Sequence, residues 1–507
     1  MAALLPKDKF TPELRKQISK DLWVQEKHTE KGQDPRSVQC FEVDKIDNTK
    51  VRFPHSYALK HFPNESQMDF YRKELDYVIE GMQFTGSLLE EENRDQKTVA
   101  AEAWKYLMTK GCVLLNAYPG FGKTMMFTAI SCRLKKKTLV LCTQDRLIDQ
   151  AMDTYRTCST ARLCKLSTLK TKEVDEETWG ETDVFFSTER SCYKLGKYLD
   201  LIGTLIIDEC HEFCSPTRVG AMLMCRPRYL ICCSASLNWK KDGLEQAMWH
   251  FVDPECTVIR RIGKKFYVIR YNCMNNITIP SKFGSLDYAG YMKNLHSDEK
   301  LMDDLMDMVR LNTANHKILI LVKNVEFVDR IQRTIIDRGI YDNPTILRGT
   351  ISKYRDSKIL IGTFSKIGTG FDPKSKDWDG VHFDMLHLVD STRTTSLLEQ
   401  LFGRVFRTKL PIVVSWVFNN PIAKGHFNSH REWYRSYTNA VYLDLFKPVA
   451  IMETITKFES TSSRDSELTL AIETGEEGTV VKEDEEQEEE DIDSIIRALT
   501  FRKNKTS

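Results

Sequence analysis

The chain has 507 residues, of which 41% are hydrophobic, 29% charged and 10% aromatic. This composition excludes disorder throughout and suits about three domains of ordinary size. No apolar run approaches the roughly 20 residues that span a bilayer, and the first ten residues lack the apolar core of a secretory signal. We expect no membrane contact, and a location in the cytosol, the nucleus or a virion interior. The 14 cysteines include no CxxC pair and are predicted to be reduced, mostly buried thiols.

The net charge of +1 is unevenly distributed along the chain. Residues 476–493 hold eleven acidic residues and one basic residue, Lys482, for a charge of −10, so the other 489 residues sum to +11. Lysine and arginine release counterions from phosphates, and a mobile acidic segment competes for the same surface. A basic body with an acidic tail is therefore compatible with a polyanionic partner.

Residues 1–85 are polar and are predicted to form a small N-terminal accessory domain. Two X-Pro steps within 51–63 favour an extended segment over a helix there. Short apolar runs spaced by amphipathic stretches then indicate strands that are buried on both faces of a parallel sheet. The runs of the first series are 112–118, 137–143, 182–188, 203–209 and 228–236, and those of the second are 317–324, 343–349, 358–364, 384–390 and 411–418. They predict two α/β units of similar size, 86–275 and 276–460.

The tail, 461–507, is rich in Ser, Thr, Asp and Glu and is predicted to be mostly disordered. Within it, residues 492–503 place four apolar side chains close to helical spacing. This stretch is either a short partner-binding helix or an unstructured end.

The segment AYPGFGKT lies between the run 112–118 and a helix-like stretch, which is the context of a P-loop. Gly120 and Gly122 let the backbone close around a phosphate chain. Lys123 reaches the β- and γ-phosphates, and Thr124 ligates Mg²⁺. The predicted ATP-binding residues of the loop are Ala117, Tyr118, Pro119, Gly120, Phe121, Gly122, Lys123 and Thr124.

The acidic pair Asp208 and Glu209 stands at the end of the run 203–209. Beside a P-loop, one such carboxylate holds the Mg²⁺ shell and the other orients or deprotonates the attacking water. We assign Asp208 to the metal and Glu209 to the water. Acid pairs at strand ends are often only solvated caps, but the P-loop upstream favours the catalytic interpretation.

Phosphoryl transfer also needs a cation on the far side of the γ-phosphate. In QLFGRVFR, the spacing of Gln400, Arg404 and Arg407 predicts that they share one helical face. We predict that the two arginines act as fingers. Since they lie in the second unit and the P-loop lies in the first, hydrolysis is expected to require closure of the two units.

The motifs AYPGFGKT, DECH, SAS (234–236), GTFSKIGTGFD (362–372) and QLFGRVFR resemble, in order and spacing, those of superfamily-two helicases of the DExH type, over about residues 94–410. The stretch SASLNWKKDGL is similar to a segment of the poxvirus transcript-release and phage recombination helicases. The resemblance implies two RecA-like domains, Mg²⁺-dependent ATP hydrolysis and a source in a large DNA virus, with action in the virion and host cytoplasm.

The resemblance also implies roles for residues that match the family's motifs. The implied nucleotide contacts are Gln96, Gly370 and Asp372; the implied nucleic-acid contacts are Thr143, Gln144, Arg146, Ser187, Thr188, Lys323, Asn324 and Thr363; and His211 with Gln400 is implied to relay nucleotide state to Ser234 and Ser236. The sequence departs from the family's motifs at two points that bear on these roles. The segment NRDQ (93–96) lacks the Tyr that usually precedes the adenine-reading Gln. The Cys of DECH also occurs in relatives that sense double-stranded RNA.

Residues 426–442 mix His, Arg, Trp and Tyr. Such a mixture either stacks bases and holds phosphates or packs a C-terminal helix against the second unit. The packing interpretation is favoured.

The sequence thus predicts an ATP-dependent helicase or translocase that moves along one strand, DNA in preference to RNA, with 3′ to 5′ polarity implied by the resemblance. Two alternatives stay open. One is an RNA helicase. The other is a transcript-release factor that binds polymerase or another protein through the tail, 461–507.

Overall fold

The computed structural model describes most of the chain in two compact units, Met1–Ile262 (unit 1) and Gly263–Ser507 (unit 2). The described residues are 2–27, 35–91, 94–235, 243–261, 263–282, 285–351, 354–368, 377–390, 392, 395–435 and 439–462. The stretch 492–503, which the sequence leaves open between a short helix and an unstructured end, lies outside them.

Unit 1 has fourteen strands and nine α-helices in its described part. The strands are β1 (Ala2–Pro6), β2 (Trp23–Gln25), β3 (Ser37–Gln39), β4 (Glu42–Val43), β5 (Lys50–Pro54), β6 (Glu90–Glu91), β7 (Arg94–Asp95), β8 (Cys112–Ala117), β9 (Thr138–Leu141), β10 (Leu163–Lys165), β11 (Val184–Ser187), β12 (Thr204–Ile207), β13 (Tyr229–Ser234) and β14 (Thr257–Arg260). The helices are α1 (Pro12–Leu22), α2 (His55–His61), α3 (Pro63–Phe70), α4 (Gln96–Lys110), α5 (Lys123–Leu134), α6 (Asp145–Cys158), α7 (Glu176–Glu181), α8 (Pro216–Met224) and α9 (Gln246–Phe251).

Unit 2 continues the numbering in its own described part. Its strands are β15 (Phe266–Cys273), β16 (Ser281–Lys282), β17 (Ser285–Leu286), β18 (Ile318–Val322), β19 (Thr345–Leu347), β20 (Ile359–Thr363), β21 (Met385–Leu388), β22 (Ile412–Phe418) and β23 (Ala440–Leu445). Its helices are α10 (Tyr288–Ser297), α11 (Glu299–Asn312), α12 (Val325–Asp337), α13 (Phe364–Gly368), α14 (Thr395–Phe402), α15 (Pro421–Arg435) and α16 (Ile451–Ser462).

Each unit is built on a seven-stranded sheet whose strands are all parallel. The order in unit 1 is β10-β11-β9-β12-β13-β8-β14, and the order in unit 2 is β19-β20-β18-β21-β22-β15-β23. All ten predicted strands are present, and nearly all of their residues are buried. The predicted α/β fold with two tandem RecA-like domains is confirmed.

The apolar runs of the sequence did not predict four strands of these sheets, namely β10, β14, β15 and β23. Their apolar runs are short or broken by polar residues, as by Arg270 and Asn272 in β15. Because β15 pairs with β22 and β23, the structure assigns 266–273 to unit 2. Along the chain, unit 1 thus gives way to unit 2 at 262/263, before the predicted boundary at 275/276.

The N-terminal region packs directly against the rest of unit 1. Its sheet, β1-β5-β4, and helices α1 to α3 bury Phe53 and Phe70 in the same hydrophobic cluster as Leu114 and Leu139 of the large sheet. The extended conformation predicted for 51–63 is wrong after Pro54, where α2 begins. Pro54 directly precedes α2 and Pro63 is the first residue of α3, positions where a helix loses no hydrogen bond by lacking an N–H donor.

Aromatic residues of the 426–442 segment pack inside unit 2. Trp433 and Tyr434 on α15 are fully buried, with ring centroids 5.0 and 5.4 Å from that of Phe402. For these two rings the packing interpretation is the correct one. Tyr437 lies outside the described residues.

All fourteen cysteines are free thiols, and twelve of them are buried. None of the helices that the structure describes combines the length and the apolar character that a bilayer crossing demands.

An ionic cluster fastens the N-terminal region to the rest of unit 1. The guanidinium of Arg226 lies 2.5 Å from an Asp69 carboxylate oxygen on α3 and 3.0 Å from one of Asp200. Arg52 on β5 donates to the Met224 carbonyl oxygen at 2.8 Å. These groups are mostly buried. Removal of Arg226 therefore takes the partner at 2.5 Å from Asp69 and leaves Asp200 with Arg52 at 3.4 Å.

We predict that Arg226→Ala destabilises unit 1 by about 3–5 kcal/mol, the usual cost of breaking a buried ion pair from one side. The thermal unfolding midpoint of the full chain should fall by roughly 10 °C. Arg156→Ala is the control, because the Arg156–Asp153 pair is exposed and is worth about 1 kcal/mol or less. Equal midpoints for the two variants would contradict the prediction.

Candidate ATP site and strand-binding loops

The P-loop connects the buried strand β8 to α5 in unit 1. Gly120 and Gly122 have φ of 84° and 97°, in the left-handed region that side chains with a Cβ rarely adopt. A Cβ on Gly122 would also collide with the amide of Gln96. The first turn of α5 adds backbone N–H groups that lack intrahelical partners and attract phosphate oxygens. The loop is thus shaped as a cradle for a phosphate chain.

Gln96 opens α4 and lies against this loop. Its amide donates to the Phe121 carbonyl oxygen at 2.7 Å and accepts from the Leu89 backbone N–H at 3.0 Å. Arg94, which sequence reasoning did not select, donates to the same carbonyl at 3.5 Å. The structure therefore joins the predicted adenine-reading residue to the P-loop. The signal for Arg94 was its place two residues before Gln96.

Lys123 is buried, and its ammonium group donates to the Ala117 carbonyl oxygen at 2.7 Å. Asp208 follows β12, between β9 and β13 in the sheet. Burial, reinforced by the neighbouring Glu209 carboxylate, raises the pKa of Asp208 to about 7, while Lys123 acts to lower that pKa. A cation near Asp208 relieves the charge repulsion of the acid pair, so this donor set fits Mg²⁺.

Glu209 stands in an unusual backbone conformation. Its φ of 50° and ψ of 51° lie in the left-handed region. This conformation costs a non-glycine residue about 1–3 kcal/mol, and residues that adopt it are concentrated at functional sites. The turn leads into a short 3₁₀ segment, Cys210–Phe213, which contains His211. His211 lies beside the last residue of β13, Ser234. Nδ1 of His211 lies 3.0 Å from the hydroxyl oxygen of Ser234, and both residues are buried.

The predicted strand-binding residues of unit 1 follow two neighbouring strands. Thr143, Gln144 and Arg146 come after β9, and Ser187 and Thr188 lie at the end of β11, which pairs with β9 in parallel. Because parallel strands end at one sheet edge, these residues lie on the same edge as the P-loop and Asp208. Ser187 is buried and its hydroxyl donates to the Thr188 carbonyl oxygen at 2.8 Å.

In unit 2, the predicted strand-binding residues lie at the ends of β18 and β20. The Lys323 ammonium donates to the Tyr288 hydroxyl at 2.6 Å. The Asn324 side-chain oxygen accepts from the Glu326 backbone N–H at 2.6 Å and so caps α12. Thr363 is buried, 3.4 Å from the Ser365 hydroxyl. Asn324 therefore has a structural role besides any contact with nucleic acid.

The helical face predicted for Gln400, Arg404 and Arg407 is wrong beyond Phe402, where α14 ends. Gln400 is on the helix, whereas the two arginines follow Gly403 in a series of turns. The Arg404 N–H donates to the Leu401 carbonyl oxygen, three residues back, at 3.1 Å. The turns mix such bonds with one from the Phe406 N–H to the Phe402 carbonyl oxygen, four residues back, at 2.9 Å. The regular spacing that the prediction assumed therefore does not continue to Arg407.

Three predicted site residues, Ser236, Gly370 and Asp372, lie outside the described part of the chain.

Residues 90–237 match the model of the ResIII family, described as Type III restriction enzyme, res subunit. The chain is 25% identical over 385 residues to protein 161L of Invertebrate iridescent virus 6, which is named as a helicase, with 68% of this chain and 81% of that one covered. It is 23% identical over 384 residues to L396 of Acanthamoeba polyphaga mimivirus, which is named as an ATP-dependent RNA helicase, with 71% and 70% covered. The solved structure of S. cerevisiae Dbp5 bound to RNA and ADP BeF3 superposes with a TM-score of 0.48 at 15% identity, covering 72% of this chain and 92% of that one.

We predict that Gly122→Ala weakens ATP binding, because the added Cβ meets the Gln96 amide in a backbone conformation that already disfavours it. A cost of about 2–3 kcal/mol corresponds to a Kd that is roughly 50-fold higher. Titration with a fluorescent ATP analogue measures it. Gly180→Ala is the control, since a Cβ on that helical glycine meets no atom within 4 Å. A Kd for Gly122→Ala equal to that of the control would refute the prediction.

Proposed function

We propose that this chain, an ATP-hydrolysing enzyme of the helicase type, moves along one strand of nucleic acid and prefers DNA to RNA. The observation that carries the proposal is the convergence, on one edge of the unit 1 sheet, of the P-loop, the acid pair Asp208 and Glu209, and the loops that follow β9 and β11. An ATP site and hydroxyl and amide groups suited to phosphates thus share a single edge.

In the proposed reaction, the P-loop cradles the triphosphate and Lys123 exchanges its bond to the Ala117 carbonyl for the β- and γ-phosphates. Thr124 and Asp208 would hold Mg²⁺, which neutralises charge on the phosphate oxygens when bound. Glu209 orients the attacking water and takes its proton. Arg404 and Arg407 stay the predicted source of positive charge for the γ-phosphate.

His211 is proposed to sense the nucleotide. Its ring lies 3.4 Å from the Glu209 carboxylate and 3.0 Å from the Ser234 hydroxyl, so a displacement of Glu209 alters the hydrogen bond to Ser234. Gln400 is proposed as its counterpart in unit 2. Thr143, Gln144, Arg146 and Thr188 are proposed to hold the strand backbone without reading bases.

The preference for DNA rests on the likeness of 234–244 to DNA translocases. The RNA alternative is supported by the name of the mimivirus relative and by the Cys of DECH. The polarity of movement, the action in viral transcription or replication, the location in virion and host cytoplasm, and the binding of a polymerase through 461–507 stay predictions.

ATP hydrolysis by the full chain, measured side by side with single- and double-stranded DNA and RNA, tests the proposal. We expect the highest rate with single-stranded DNA. Stimulation by RNA alone would replace DNA by RNA in the proposal, and a rate that no nucleic acid changes would overturn it.

Loss of either catalytic group should stop hydrolysis while strand binding persists. Lys123→Ala and Glu209→Gln are each expected to lower kcat by about 10²–10³-fold, since each removes charge stabilisation or proton transfer in the transition state. Anisotropy with a labelled oligonucleotide should give Kd values within about threefold of the unaltered chain. Lys105→Ala, on the exposed side of α4, is the control and should retain the full rate. Full activity in both active-site variants would exclude the assigned site.

A further inference from the structure

A chain of close contacts between polar side chains leads away from the ATP site within unit 1. It begins at Glu209, whose carboxylate lies 3.4 Å from Nδ1 of His211. Nε2 of the same ring lies 3.3 Å from a carboxylate oxygen of Glu212. The ring is only 1% exposed, so it is fixed between two carboxylates and responds to a movement of either.

Arg218, in the first turn of α8, continues this chain. Its Nη1 donates to the Glu212 carbonyl oxygen at 2.8 Å and lies 3.2 Å from a Glu212 carboxylate oxygen. Its Nε lies 3.6 Å from Oε1 of Glu189. One guanidinium therefore joins the segment after the acid pair to the loop after β11.

Glu189 depends on that guanidinium. Its side chain is 9% exposed, and its Oε2 is buried without a hydrogen-bond partner among the residues that the structure describes. Arg190 is the other cation at this carboxylate, but it is 3.9 Å away and 88% exposed, so solvent screens its charge. A buried carboxylate that loses its main cation pays a large desolvation cost, and the loop that carries it must move.

We propose that Arg218 is a positioning residue that couples the ATP site to the strand-binding loop after β11. Glu189 directly follows Ser187 and Thr188, so a shift of Glu209 during hydrolysis passes through His211, Glu212 and Arg218 to the residues proposed to hold the strand. The coupling is reciprocal, since a strand that displaces Thr188 alters the setting of Glu209 by the same route. This inference rests on the proposed function.

Arg218→Gln tests the coupling in the full chain. The ATPase rate without nucleic acid should stay within about twofold of the unaltered chain, because Arg218 does not touch the P-loop or the acid pair. The concentration of single-stranded DNA that gives half-maximal stimulation should rise about tenfold, within the usual range of site-to-site coupling. Arg156→Gln, which removes an exposed cation of unit 1, is the control and should change neither value.

A double-mutant cycle separates coupling from a general structural effect. Glu189→Gln keeps the shape of the side chain and should weaken stimulation as Arg218→Gln does. Arg218→Gln removes the contacts with Glu212 as well as the contact with Glu189 that both variants remove. The double variant should therefore be no worse than Arg218→Gln alone, whereas independent defects would multiply.

Multiplying effects, or normal stimulation in all three variants, would overturn the inference alone. If the unaltered chain itself shows no stimulation by nucleic acid, the proposed function fails and the inference fails with it.

Discussion

The site in unit 1 depends on the register of parallel strands. Hydrogen bonding aligns Ile207 of β12 with Leu141 of β9 and Cys232 of β13, and Cys232 in turn with Leu114 of β8. At this level β9 and β12 end, whereas β13 continues to Ser234 and β8 to Ala117. The residues after the strands therefore lie along one edge of the sheet, with a stagger of about 7–10 Å. Because the strands are buried and strongly apolar, a slip in register would bury polar ends and is disfavoured. The site's geometry is thus a product of core packing.

Charge at this edge is balanced at some cost. Burial and the charge of the adjacent Glu209 carboxylate together raise the pKa of Asp208, so its ionised form costs the fold stability. Glu209 is also held in a left-handed conformation. A nearby cation relieves the charge repulsion between the two carboxylates, whereas the backbone strain of Glu209 is sustained by the surrounding fold. The Lys123 ammonium meanwhile donates a hydrogen bond to the Ala117 carbonyl oxygen. In the proposed reaction it exchanges that bond for one to a phosphate oxygen.

Sequence reasoning found the ten apolar strands and the P-loop because each has a strong local pattern. It failed where the outcome depended on neighbours distant in the chain. The pattern of β15 does not reveal that it pairs with β22 and β23. The two X-Pro steps favour an extended segment, although Pro54 directly precedes α2 and Pro63 is the first residue of α3. The contact of Arg218 with Glu189 joins the first turn of α8 to the loop after β11, so no spacing rule could predict it.

The shared core of the N-terminal region and the large sheet bears on how this protein can be divided. Phe53 and Phe70 pack in one cluster with residues of β8 and β9, and Arg226 holds the carboxylate of Asp69. A truncated fragment that began at the ATP-binding motifs would therefore expose a large apolar face to solvent and would tend to aggregate. The smallest autonomous piece that hydrolyses nucleotide must retain its first seventy residues, so insertions and tags are better placed elsewhere.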